Sequence, residues 1–530
     1  MRLELKHNLL LNSSAMIGKN IQLELIKLTE SYLAGQYSEG IEIFAELHNL
    51  VVDADLTVGE AENMRKLFML FMLGQLVELE TMRQICVSCG ITNSQHQVCY
   101  TALCSKLSQP QLFAFFEEAF QKALKAKLVP MVLKHGSNFS RDVVTLAMDD
   151  SVFKRCFSYS KEQDEEFDRY FGCFFSGQFG KAVWGFQVLT FGAIVSNVFY
   201  PLFLYCVPKT VKEPAVKKSE KAAKKQHFIT KKNEITALHN EITAKKATEM
   251  TKEEKDDLKK DKLRLNTLKE ELKEYKNAQK VVKKPNSVSK KIALAIKLVE
   301  KWGVFIKKIL PVGRKIPNFH LSCDSGYSDI NLSNACTALN IVYISVPKMG
   351  QCIQIGEAQK QQIKAYIRVQ YTKLETAHKL KEAALSKEKK TPFALRVRAR
   401  LCTQNRILTF LFFRLNGSRN VSAIYCTDPN IKAKTLRHHW FARTYIEQFF
   451  KLLKHYLRIQ NAKTVSMHDF NNKLFRFAFI ALHCQLLLQF IHKKSKAFKT
   501  QGLGTLRVIL RTDPTIYQLL KQTINIPFAA

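Results

Sequence analysis

Acidic residues are scarce in this chain. Across 530 residues, 46 Asp and Glu stand against 82 Lys and Arg, for a formal net charge of +36, far more than solubility requires. The deficit points to a partner of dense negative charge, and nucleic acid fits better than a membrane surface because the excess is spread along the chain. A paired cysteine pattern is also lacking. The 13 Cys are an odd number scattered through apolar segments, which argues against a disulfide framework and for a reducing cytoplasm. Met1 to Lys6 lacks the charged-then-apolar pattern of a secretory signal. From Ala182 to Val207 there is no charged residue, a run about long enough to cross a bilayer. Gly185, Gln187, Gly192, Ser196, Asn197 and Pro201 interrupt it, so it is predicted as two buried strands, Val183–Phe191 and Phe199–Val207, with a turn around Gly192–Asn197 and no membrane partner.

Two apolar runs end abruptly in acid. One is Val143 to Met148 followed by Asp149, Asp150 and Ser151; the other is Phe319 to Cys323 followed by Asp324, Ser325, Gly326 and Tyr327. Both read as buried strands, and a carboxylate there must find a cation because an unpaired buried charge is too costly. Further on, His439 to Lys454 has a helical period. Trp440, Arg443, Glu447, Lys451 and Lys454 fall on one face and Ile446, Phe449, Phe450 and Leu453 on the other. The plain interpretation is an amphipathic core helix with a basic outer side. The functional one joins Asp149, Asp324 and Glu447 into a three-carboxylate cluster, suited to hard cations such as Mg²⁺ or Mn²⁺. Two ions held ~4 Å apart can drive an in-line phosphoryl transfer.

These residues resemble the bacterial insertion-sequence transposases with an Asp-Asp-Glu triad, in the group whose glutamate helix carries Tyr-x2-Arg-x3-Glu-x6-Lys. Here the signature reads Trp440-x2-Arg443-x3-Glu447-x6-Lys454, with Trp in place of Tyr. Met148-Asp149-Asp150-Ser151, with Lys154 following, matches the first acidic motif, and Asp324 to Tyr327 the second. The motifs cover roughly residues 141 to 475. The resemblance implies an α/β fold: an RNase H-like mixed sheet flanked by helices, with core segments 141–208, 290–348 and 431–495. It implies Asp149, Asp324 and Glu447 as catalytic ligands of two Mg²⁺ ions, with Mn²⁺ able to substitute and Asp150 as the alternative to Asp149. Arg443 and Lys454 are expected on phosphates at the cleaved end, joined by Trp440, Lys451 and Lys154 as DNA contacts. Double-stranded DNA, both terminal inverted repeats and target, is then the partner, a homodimer on DNA the expected assembly, and the bacterial cytoplasm and nucleoid the location. Relatives that cut through a DNA hairpin stack a flipped base on tryptophan, but only Trp184, Trp302 and Trp440 exist here, so Phe412 or Phe413 would have to substitute. The alternative reading is a catalytically inactive, transposase-derived DNA-binding protein.

Around that core, residues 1–140 are predicted as a helical DNA-binding domain. Within it, 82–104 resembles a helix-turn-helix, with Asn93, Gln95, His96 and Gln97 toward a groove. Cys86, Cys89, Cys99 and Cys104 have nearly zinc-like spacing, with buried thiols as the plainer alternative. Residues 209–289 have no glycine, abundant Lys and Glu, and leucines at helical intervals, the pattern of a coiled-coil-like insert. Residues 349–430 are predicted as a separate, partly β insertion domain with strands at Arg406–Arg414 and Val421–Cys426 and a polar, helix-like stretch at Gln359–Lys390. Phe475–Ile491 reads as a core helix, and 496–530 as a basic tail.

Overall fold

The computed structural model describes residues 24–29, 31, 109–135, 144–154, 165–176, 180–209, 215–245, 252–281, 289–310, 319–370, 394–414, 421–461, 466–496, 498 and 502–512. The helix-turn-helix-like stretch 82–104 and its four cysteines lie outside them. The chain divides into two compact units, Lys209–Lys290 and the remainder.

The larger unit is α/β, built on one mixed sheet. Helix α1 (Gln109–His135) precedes strand β1 (Val144–Lys154). Helix α2 (Glu165–Tyr170) and strands β2 (Phe171–Ser176), β3 (Lys181–Val195) and β4 (Val198–Cys206) follow. After the second unit come α5 (Lys290–Ile309), β5 (His320–Cys323), α6 (Ile330–Ala338) and β6 (Val342–Ser345). The sheet is completed by β7 (Cys352–Gln354), β8 (Gln361–Gln362), β9 (Ala394–Leu401), β10 (Arg406–Arg414) and β11 (Val421–Cys426). Helices α7 (Ala433–Ala442), α8 (Thr444–Lys451), α9 (Met467–Lys494) and α10 (Leu503–Thr512) close the chain. The strand order is β2-β3-β1-β5-β6-β11-β10-β9-β7-β8, with β4 also paired to β3. β1, β5 and β6 run parallel; the other pairings are antiparallel.

The long uncharged run forms strands, but with a tighter turn than its glycine pattern predicts. Ser196 and Asn197, both at positive φ (50° and 67°), make the β3–β4 reversal, the backbone of a two-residue hairpin turn. Gly192 lies inside β3, at a register shift opposite Pro201. A Cβ on Gly192 would sit 2.2 Å from the Tyr200 carbonyl oxygen, so the close approach of the strands, not a turn, requires glycine there.

The described strands of 349–430 join the core sheet. Tyr425 and Cys426 of β11 pair with Ser345 and Ile344 of β6, so β7–β11 continue the same sheet. The helical stretch at 363–370 is part of the predicted Gln359–Lys390 segment; residues 371–390 fall outside the described ones.

Among the described residues, one helix, α9, is long and apolar enough to cross a membrane. Its apolar surface is spent on packing. Phe475 stacks on Phe116 of α1 at 5.4 Å between centroids, and Phe479 meets Phe120 at 6.0 Å. Ser466 caps its start, accepting from the Asp469 amide at 3.1 Å.

The second unit contains α3 (Ala215–Lys245) and α4 (Lys252–Val281). Ile242, Leu258 and Leu265 are buried together, with Ile235 and Leu238 against them, a narrow apolar seam between charged helices.

Candidate active site

β1 carries Asp149 in its middle, not at its end as the sequence predicts. Pairing with parallel β5 stops at Met148↔Cys323, while pairing with antiparallel β3 continues to Lys154↔Gly185. Asp149 and Asp324 therefore follow the last parallel pair on adjoining strands. Asp324 is exposed and caps the short turn Ser325–Tyr327 by accepting from the Ser325 amide.

The predicted single helix over His439–Lys454 is broken. α7 ends at Ala442, Arg443 sits in a turn, and α8 begins at Thr444. Thr444 Oγ1 donates to the Phe441 carbonyl at 2.8 Å, a local bond that competes with the helical ladder. Residues Leu452–Tyr456 then form a π-helical turn, which re-aims Lys454 relative to an α-helical extrapolation. Burial of Ile446, Phe449 and Phe450 anchors α8 under Glu447, each side chain contributing roughly 1.5–3 kcal/mol.

Arg443 joins two of the three acids. Its Nη1 donates to Asp149 Oδ2 at 2.9 Å and its Nη2 to Glu447 Oε1 at 2.5 Å. The guanidinium also lies 5.0 Å from the Trp440 ring centroid, a cation–π contact. Burial pushes the Asp149 carboxyl up to about 7; Arg443 opposes that rise, while Asp150 and Asp324 add to it. Among the described residues no three His, Cys, Asp or Glu side chains are grouped tightly enough to hold a metal ion as they stand. The Arg443 guanidinium supplies positive charge between Asp149 and Glu447.

Asp150 faces the other side of the sheet. Lys291 of α5 forms an ion pair with it. Tyr327 Oη donates to Oδ1 at 2.6 Å and Gln187 Nε2 to Oδ2 at 2.5 Å. Lys291 and Gln187 carry no sequence signal for this role. Tyr327 does, since it closes the second acidic motif.

Lys454 is half-buried, with Nζ 5.2 Å from the Phe153 ring centroid, and burial lowers its ammonium to about 8. Lys451 and Lys154 are exposed, and Trp440 is half-buried. Phe412 and Phe413 are buried in the sheet, so neither offers a free ring face. Deeper on the Asp149 side, the rings of His320 and His439 stack 3.9 Å apart, and His439 Nδ1 pairs with Thr145 Oγ1 at 2.8 Å. Burial pushes His320 down to about 4 and His439 to about 2, so both are neutral near pH 7. No protein-family model matches the chain, and neither does any curated protein sequence.

Proposed function

We propose that this protein is an Asp-Asp-Glu DNA transposase, which cleaves at the ends of its own element and joins them to target DNA. The observation that carries the reading is the register that sets Asp149 and Asp324 on adjoining parallel strands, with Glu447 tied to Asp149 through Arg443. The strand order β4-β3-β1-β5-β6, antiparallel on one side of β1 and parallel on the other, supports an RNase H-like core.

Asp149, Asp324 and Glu447 would hold Mg²⁺ or Mn²⁺. They fit in chemistry: all are hard oxygen donors, and the buried Asp149 already takes a cationic partner. Metal bound there would acidify a water or hydroxyl and stabilise the leaving oxygen. Arg443, a planar fork of donors, would exchange its carboxylate partners for phosphate oxygens. Lys454, with its ammonium near 8, stays protonated at neutral pH and adds a point charge beside Phe153. Trp440 holds the Arg443 guanidinium over its ring in place of a Tyr hydroxyl.

The test is Mg²⁺-dependent cleavage of duplex DNA carrying the inverted repeats that flank the gene, comparing wild type with Glu447→Gln. Cleavage at the repeat ends by wild type and at least ~10³-fold less by the variant, about 4 kcal/mol of barrier, is expected. Binding of the ends by both with cutting by neither, in Mg²⁺ or Mn²⁺, would replace this reading with that of a non-catalytic DNA-binding relative.

A further inference from the structure

Strand β9 reads Ala-Leu-Arg-Val-Arg-Ala-Arg-Leu, with apolar and arginine residues alternating. Leu395, Val397, Ala399 and Leu401 turn into the core, so Arg396, Arg398 and Arg400 share the opposite, exposed face. Along the strand they recur about every 7 Å.

The register tells which face this is. Arg396 lies opposite Leu411, and Leu411 packs in one cluster with Ile344 and Leu436 of α7. Ile344 is level with Ser322, two residues before Asp324 and therefore on the same side. The arginine row thus lies on the sheet face that carries Asp149, Asp324 and the glutamate helix.

Among the described residues, every acceptor these guanidiniums meet is neutral. Arg396 Nη2 donates to the Pro429 carbonyl at 2.6 Å, and Arg398 Nε to the same oxygen at 3.0 Å. Arg398 Nη2 reaches Asn430 Oδ1 at 2.8 Å and Arg400 Nη1 reaches Asn405 Oδ1 at 3.3 Å. Asp428, in the same turn, accepts from the Asn430 amide at 2.7 Å. Among the described residues, then, no carboxylate forms an ion pair with the row, which is held in place by backbone and amide oxygens, and each guanidinium, with five donors, keeps several for an outside ligand.

We infer that Arg396, Arg398 and Arg400 form a track for the sugar–phosphate backbone of duplex DNA, flanking the carboxylate site on the same face. The inference rests on the transposase reading for the identity of the polyanion. Fixed, planar arginines at regular spacing suit successive phosphates, which are read as charge and not as sequence.

The experiment measures binding of the full chain to a duplex lacking the inverted repeats, by fluorescence anisotropy over a salt series. Wild type is compared with the triple variants Arg396→Gln/Arg398→Gln/Arg400→Gln and Arg396→Lys/Arg398→Lys/Arg400→Lys, all matched for thermal midpoint. The Gln variant should flatten the slope of log K against log salt by about 3, one counterion per lost phosphate contact, and weaken binding at least tenfold near 0.1 M salt. The Lys variant should keep most of the slope. An unchanged slope in the Gln variant overturns the track while leaving the transposase reading intact. Equal loss in both variants also overturns it, because the arginines would then matter only for their bonds to Pro429 and Asn430. Loss of binding to poly-glutamate, with duplex binding preserved, would reassign the row to an acidic protein partner. Wild type that binds no duplex at all would remove the transposase reading as well as the track.

Discussion

Asp149 and Asp150 are chain neighbours on opposite faces of β1, and their surroundings differ in kind. Asp150 accepts from Lys291, Tyr327 and Gln187, three donors from three elements. Asp149 has one cation, Arg443, and shares it with the more exposed Glu447. Its own burial makes ionisation costly. Through Lys291, Asp150 cross-links α5 to the sheet. Asp149 is buried and shares its one cation with Glu447, the feature on which the proposed metal site rests. Two adjacent residues of one type thus meet different surroundings because the pleat sends them to different sides.

That contrast can be broken or sharpened by experiment, most strongly on the Asp149 face. The stacked His320 and His439 have folded-state pKa values below the ordinary 6.5, so their stabilisation is present above pH 6.5 and lost as pH falls toward about 4. Denaturant unfolding should lose roughly 3–5 kcal/mol between pH 6.5 and 4.5, and a His320→Phe/His439→Phe variant should show a flatter profile. Next in size, Asp150→Asn strands Lys291 and should cost about 3 kcal/mol, whereas Asp149→Asn at pH 8 should cost less than ~1 kcal/mol or stabilise. Equal losses at the two positions would show that the two acids are energetically equivalent. The third test follows the raised Asp149 carboxyl. Because its folded value is about 7 against 3.8, its contribution is fullest below 3.8 and is lost as pH rises through 7. Wild type in chelator should lose roughly 3–4 kcal/mol relative to Asp149→Asn over that window, and parallel profiles would refute the burial argument. The smallest effect is Trp440→Leu, which removes the ring under Arg443 and should cost ~0.5–1 kcal/mol.

How legible was this in the residues? The strands Arg406–Arg414 and Val421–Cys426 are recognisable from β-branched and aromatic runs, and the uncharged 182–207 run from its interrupting polar residues. β9 is absent from the expected strands although Leu395, Val397, Ala399 and Leu401 alternate with Arg396, Arg398 and Arg400 in a period of two. β1 overruns its predicted end because antiparallel β3 keeps pairing where parallel β5 has stopped. The helix over 439–454 looks continuous by periodicity, but periodicity does not register the Thr444 back-bond or the π turn after Lys451.

The sequence by itself determined that this is a basic α/β chain with two apolar strands ending in acid and an amphipathic segment bearing Glu447, because charge and hydrophobic period are local properties. Only the tertiary structure decided which acid of the Asp149–Asp150 pair meets Arg443. It also decided that strands β7–β11 extend the sheet and that three arginines on β9 share the face of the carboxylates. Those depend on strand register, and register is fixed by pairing between segments up to hundreds of residues apart, where no local pattern reaches.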